Sequence, residues 1–201
     1  MRENCRGSGV GCKIFPTAGG TPATTAAFTI IELLVVIAII IILAGLILST
    51  VGYVQKKGAR SRAEAEIAAM SAALESYKAD NGIYPTDATT TEQLKATDTD
   101  SKDYKPASRY LYKQLSGDDD GDPTTAAPAS AKNYLGSALK PQMLSPNPPG
   151  PNTFIRDPFG NSYGYSTLKA VSPTSIDGYN PTFDLWSTAN STAANQWIKN
   201  W

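Results

Sequence analysis

The run Phe28-Thr29-Ile30-Ile31-Glu32-Leu33-Leu34-Val35-Val36-Ile37-Ala38-Ile39-Ile40-Ile41-Ile42-Leu43-Ala44-Gly45-Leu46-Ile47-Leu48 decides how the rest of the chain is read. From residue 30 to residue 48 every side chain is apolar or glycine except Glu32. As a helix rising about 1.5 Å per residue, this run reaches about 28 Å, close to the roughly 30 Å hydrocarbon thickness of a bilayer. A helix in a soluble core keeps a polar stripe toward water. This one has none, and it predicts a membrane helix.

Glu32 is the informative exception. A charge at the middle of a membrane helix costs about 2.5 to 3.5 kcal/mol on insertion scales, so such groups normally have a partner. Near a helix end the same carboxyl can instead reach headgroups or take a proton. On the residues alone both readings stand.

Downstream of the apolar run the helix is expected to continue. Ala63, Ile67, Met70, Leu74 and Tyr77 form one apolar stripe, while Arg62, Glu64, Glu66, Glu75 and Lys78 occupy the other face. Core packing against a sheet is the expected use of that stripe. Asp80-Asn81-Gly82 supplies a left-handed cap and Pro85 follows, so one helix from residue 28 to about residue 81 would be roughly 80 Å long.

Upstream, residues 1–27 read as a leader, with Arg2, Arg6 and Lys13 against Glu3 and then a Gly/Thr/Ala/Pro-rich approach to the apolar run. A conventional secretory signal would have a shorter apolar region of about 7 to 15 residues and a small-residue cleavage site after it. Both cysteines, Cys5 and Cys12, fall in the leader, at a spacing that matches no zinc or redox motif. The 201 residues allow one medium domain plus an anchor. Charges balance at 18 basic and 18 acidic, which argues against a dedicated nucleic-acid binder. Histidine is absent, which removes His-based triads, His general bases and His-ligated zinc. Lys56, Lys57, Arg60 and Arg62 follow the membrane run, so a plain positive-inside count would put that end in the cytoplasm.

The segment 27–40 resembles the processing and membrane segment of type IV pilins and type II secretion pseudopilins. The resemblance implies cleavage by a prepilin peptidase between Ala27 and Phe28, methylation of the new amine on Phe28, and a requirement for Glu32 in assembly. It also sets the orientation, leader inside and main domain outside. Cleavage creates a cationic amine in a low-dielectric setting, and a carboxylate on a neighbouring subunit can neutralise it when subunits stack with the right stagger. The chain departs from the family pattern at Ala27, where Gly is usual, at Ile41 in place of a mid-membrane Gly, and at Ser49 in place of a Pro. A second point of resemblance, Tyr77-Lys78-Ala79-Asp80-Asn81-Gly82-Ile83-Tyr84-Pro85-Thr86, favours the major pseudopilin of type II secretion.

Beyond the helix, residues 86–107 are Thr/Asp/Lys-rich and read as a solvated connecting loop. Residues 108–117 read as a short helix capped by Ser108 and stopped by Gly117. Asp118-Asp119-Asp120-Gly121-Asp122 lacks the ligand spacing of an EF-hand and reads as a solvated acidic turn. Residues 134–151, broken by Pro and Gly, are a poor setting for a long regular element. Strands are expected at 153–156, 162–167 and 182–187, with a turn at 157–161 and a loop at 173–181. In the last strand Phe183 and Leu185 alternate with Asp184 and Trp186, which suggests one face on the helix. Tyr163, Tyr165 and Trp186 are expected in the core.

These readings make an α+β protein of the type IV pilin fold, a long N-terminal helix packed on a small antiparallel sheet. They divide it into a leader at 1–27, a transmembrane and assembly half-helix at 28–50, and a globular headpiece at 51–201. Segments 157–163 and 183–187 and the ending Trp197-Ile198-Lys199-Asn200-Trp201 also resemble major pseudopilins. In those relatives a loop after the last strand binds calcium through carboxylates. Here that loop, 188–195, has no acid. Asn190 and Asn195 are its candidate ligands, neutral oxygens that hold calcium weakly without carboxylate help. Their amide hydrogen bonds, with Trp197 or Trp201 packing, are the substitute. No other cofactor is expected.

The implied role is structural: a pseudopilin assembled into a short periplasmic filament that pushes folded cargo through an outer-membrane secretin. Implied partners are copies of itself, minor pseudopilins, prepilin peptidase, an inner-membrane platform protein, an assembly ATPase and membrane lipid, with no nucleic acid. A surface pilus subunit for adhesion, motility or DNA uptake is the alternative. For a membrane-tethered enzyme Asp157 and Asp184 are the available acids, but no nucleophile with an adjacent base is legible. A ligand-binding module would use the aromatics around Tyr163, Tyr165 and Trp186.

Overall fold

The computed structural model describes residues 28–100 and 102–201, so the expected leader, its two cysteines and Ala27 lie outside the described residues. In chain order the elements are α1 (Ile30–Asn81), α2 (Lys105–Ser116), β1 (Leu144–Ser145), β2 (Phe154–Ile155), β3 (Gly164–Ser166), α3 (Leu168–Val171), β4 (Asp184–Ser187) and β5 (Ile198–Lys199). The chain divides into two units, Met1–Ile47 and Leu48–Trp201.

In the first unit α1 is bare. Its large apolar side chains from Ile30 through Ile47, and Leu48 just beyond, are 45–83% exposed, so among the described residues none covers a face of it. A helix that is apolar all round and uncovered needs lipid or neighbouring helices. Among the described residues, one helix is long and apolar enough to cross a membrane, and it is this one.

In the second unit α1 becomes amphipathic, as expected. Ala63, Ile67, Met70 and Leu74 are buried together with Ala73, while Tyr77 is only partly buried. They pack on Tyr163, Tyr165, Phe183, Leu185 and Ile198 from the sheet, and on Leu111, Tyr112 and Leu115 from α2. The helix ends at Asn81, with Gly82 at φ +80° donating its N–H to Lys78 O at 2.7 Å.

The strands form two antiparallel sheets. Sheet one pairs β1 with β2, Leu144 opposite Ile155; sheet two has the order β3-β4-β5, with Tyr165 opposite Leu185 and Ser187 opposite Ile198. The strand expected at 153–156 therefore splits off with a partner inside 134–151, and β5 comes from the tail. A two-residue strand carries too little periodicity to be seen in sequence. Pairing is what makes it a strand.

The expectation that β4 keeps one face on the helix holds, but its other face is not solvent. All of Asp184–Ser187 is buried. Trp186 belongs to a second core with Leu94, Ala96, Tyr104, Ala107 and Trp197. Hence residues 86–107 are not a solvated loop: they cover the far side of the sheet. The Asp87 carboxylate holds the start of this segment together, accepting from Thr89 N at 3.1 Å, Thr89 Oγ1 at 2.7 Å and Thr90 Oγ1 at 2.8 Å. They also bond the sheet, through Ser166 Oγ to Leu94 O at 2.6 Å and Thr167 N to Thr91 O at 2.9 Å. Gly164, opposite Trp186, leaves the room that the indole fills; a Cβ there would run into the ring.

Two local expectations are corrected. Helix α2 starts at Lys105, with Pro106 in its first turn, so Ser108 is not a cap but an interior residue whose buried hydroxyl donates to Ile155 O at 2.7 Å. Gly117 does stop it, at φ +76°. The acidic turn is not wholly solvated either: Asp118 is buried, accepting from Tyr112 Oη at 2.8 Å and Gly121 N at 3.1 Å.

Candidate functional site

Phe28 precedes α1 with its ring 79% exposed, and Glu32 lies in the first turn of the helix. Thr29 is the residue before Ile30, so Glu32 is three positions after it. Thr29 Oγ1 accepts from Glu32 N at 3.3 Å, and the Glu32 carboxylate accepts from Thr29 N at 3.4 Å and Thr29 Oγ1 at 3.3 Å. This is a capping box, long in geometry, in which the carboxylate satisfies an otherwise orphaned helix N–H. The signal for it was legible as Thr-x-x-Glu directly before an apolar run. A carboxylate in a helix's first turn also meets the positive end of the helix dipole. Glu32 therefore has a home in the single subunit, held by contacts weak enough to exchange.

The acids considered for catalysis are spoken for. Asp157 Oδ1 accepts from Phe159 N and Asn161 N, both at 2.9 Å, and its Oδ2 accepts from Ser187 Oγ. Asp184 accepts from Tyr179 N at 2.9 Å and Asn180 N at 2.8 Å. Each pins a turn to the sheet. Burial pushes both carboxyls above the ordinary 3.8, the hydrogen bonds opposing it, and for Asp157 the nearby Glu66 adds to the rise.

The sign of that shift gives a pH prediction. A carboxyl raised in the folded state contributes its full stability below about pH 3.8, its unfolded value, and loses it as pH climbs through the folded value. Asp157→Asn removes this titration. Its unfolding midpoint relative to wild type is expected to rise as pH is taken from 3.8 toward neutral. A constant difference across that range in urea unfolding would show that Asp157 titrates alike in both states.

Glu66, expected on the polar face, is buried at 8% exposure. It accepts from Tyr163 Oη at 2.8 Å and pairs with Arg62 Nε at 2.7 Å. The Tyr163 hydroxyl is pushed far above its usual range, first by burial and then by the Glu66 charge. This is a tie between α1 and the sheet, which hydrophobic periodicity does not register.

In the loop after β4, Asn190 Oδ1 accepts from Asn161 Nδ2 at 2.8 Å, and Trp197 Nε1 donates to Ser191 O at 2.8 Å. Asn195 sits in the 3₁₀ turn Ala194–Gln196, exposed to solvent. Among the described residues no group of three or more Asp, Glu, Cys or His side chains gathers. With one amide oxygen already engaged and no carboxylate in the loop, this donor set does not fit a calcium ion. Glu32 lies in the first unit, Asn190 and Asn195 in the second.

Residues 50–135 match the family described as type II secretion system (T2SS), protein G. No curated protein and no solved structure matches the chain. The family is one of structural pseudopilins rather than enzymes, whose members assemble with themselves and other components of the secretion system. The matched span runs from α1 through the covering segment and α2, and α1 carries the apolar stretch of a membrane-anchored protein. Taken with the α+β arrangement of a long helix and small antiparallel sheets, the match is consistent with a type IV pilin-like pseudopilin, similar to protein G of type II secretion systems.

Proposed function

We propose that this pseudopilin is cut by prepilin peptidase between Ala27 and Phe28, methylated on the new amine, and assembled into a short periplasmic filament that moves folded cargo outward. The observation that carries the reading is the uncovered half-helix, apolar on every side with Glu32 in its first turn. In the bilayer that surface is satisfied by lipid. In a filament it is satisfied by neighbouring copies, where helix contacts replace lipid contacts and packing with polar pairing sets the register. Glu32 then leaves Thr29 and meets the amine of an adjoining subunit's Phe28.

In this reading α1 crosses the inner membrane once, the headpiece lies in the periplasm, and a platform protein with an ATPase drives assembly along with minor pseudopilins. The loop after β4 works without a metal, closed by Asn161 to Asn190 and by Trp197 to Ser191. Intact-mass spectrometry of protein extracted from membranes is the test. The expected mass is that of a chain starting at Phe28 plus one methyl group. A mass that retains the first 27 residues, or a cut elsewhere, would defeat the proposal.

A further inference from the structure

Beyond Leu48, Val51, Tyr53 and Val54 carry the exposed apolar surface of α1 onward. A tyrosine at such a place suits the headgroup level of a bilayer. Lys56 follows about 4.5 Å further along the helix axis. There a cavity of about 330 Å³ opens between α1 and the loop after β4, lined by Lys56, Arg60, Phe159, Asn190, Ser191 and Gln196.

The lining contains two cations and no carboxylate. Arg60 is half-buried, its Nη1 donating to Gln196 O at 2.7 Å, which fixes the guanidinium without neutralising it. Among the described residues neither Lys56 nor Arg60 is ion-paired. The acid of the adjoining turn, Asp157, is occupied by Ser187, Phe159 and Asn161. The Ser191 hydroxyl and the Asn190 amide add neutral polar groups to the wall. Fixed positive charge, neutral hydrogen-bonding groups and a headgroup-level position call for a phosphate ester.

We propose that this pocket binds the phosphodiester of an anionic phospholipid headgroup and so seats the loop after β4 on the membrane surface. Basic residues on the outer side of the membrane run, which a plain positive-inside count does not favour, gain a use. A headgroup with net negative charge is preferred over a zwitterionic one, whose own cation competes with Lys56 and Arg60 for the phosphate. The proposal rests on the apolar part of α1 lying in lipid. It needs neither cleavage nor filament formation.

The test uses the full chain in a neutral maltoside detergent. It is titrated separately with short-chain phosphatidylglycerol, short-chain phosphatidylcholine and inorganic phosphate, with tryptophan fluorescence as readout. Trp197 sits in the loop concerned, bonded to Ser191. Phosphatidylglycerol is expected to bind saturably and more tightly than the other two. Lys56→Gln is expected to weaken it about fivefold, Lys57→Gln less than about twofold, since Lys57 has the same charge at the same depth but does not line the cavity. Lys56 makes no hydrogen bond or ion pair among the described residues, so an unchanged urea midpoint should accompany the loss; Arg60→Lys, which keeps the charge, is the second variant and should retain binding.

Equal losses from Lys56→Gln and Lys57→Gln would assign the effect to diffuse surface charge and overturn the pocket. Inorganic phosphate or phosphatidylcholine binding as tightly as phosphatidylglycerol would overturn the anionic-lipid assignment. Because the titration reads no filament and no processing, its failure leaves the proposed function standing, and a failed mass measurement leaves the pocket standing.

Discussion

Glu32→Ala is expected to abolish filament assembly while leaving membrane insertion and processing intact. Insertion depends on the apolar run, and removing its one charge only makes that run more apolar. The proposed cut falls immediately before Phe28, four residues ahead of Glu32. Assembly is different, because in the proposed filament each added subunit brings a cationic amine into a low-dielectric stack. Without the carboxylate that charge is left buried and unpaired, the situation that is strongly unfavourable for any ion. Filament yield should fall about tenfold or more, measured by shearing and electron microscopy against equal membrane levels of subunit.

The capping box supplies a control. Glu32→Ala also removes the two carboxylate contacts to Thr29, at 3.4 and 3.3 Å. A frayed first turn is the competing explanation for a loss of assembly. Thr29→Ala removes the hydroxyl's two contacts in the cap while keeping the carboxylate, and it is expected to assemble. Normal filaments from Glu32→Ala would remove the pairing role; equal loss from both variants would move the explanation from charge pairing to helix capping.

Trp186→Ala is expected to destabilise the headpiece by about 3–5 kcal/mol, the range for truncating a fully buried large aromatic. Trp186 joins the covering segment 86–107, the C-terminal tail and the sheet. Its ring meets Tyr104 edge-on at 5.2 Å, Trp197 in parallel at 6.4 Å and Trp201 edge-on at 5.9 Å. Such geometry adds to simple burial. The void would not refill from across the strand pair, because the residue opposite is Gly164, which has no side chain to move in. Urea unfolding of the chain in detergent, followed by near-ultraviolet circular dichroism, measures the loss. Trp201→Ala, at a partly exposed position, should cost less. A loss below about 1 kcal/mol for Trp186→Ala would mean that the covering segment and sheet hold together without it.

Where side chains repeat with a regular period, the sequence was sufficient. The apolar run, the stripe from Ala63 to Leu74 and the stop at Gly82 were all readable, because a helix maps sequence spacing directly onto a face. The three aromatics Tyr163, Tyr165 and Trp186 were correctly expected in the core. The proposed processing and assembly roles of Ala27, Phe28 and Glu32 come only from family resemblance, whereas the Thr29 cap was written in the pattern itself.

What the sequence by itself determined is a helix with a lipid-facing half and a docking half, followed by a small β-rich headpiece. Only the tertiary structure decided that the sheet is covered on both sides, that strands as short as Leu144–Ser145 exist, and that Glu66 turns inward. The reason is the range of the interactions. Periodicity is a local property of a few turns. The burial of Leu94 and Tyr104 beneath Trp186, or of Glu66 against Tyr163, depends on partners about 80 to 100 positions apart in the chain, which composition alone reads as polar loop and polar face.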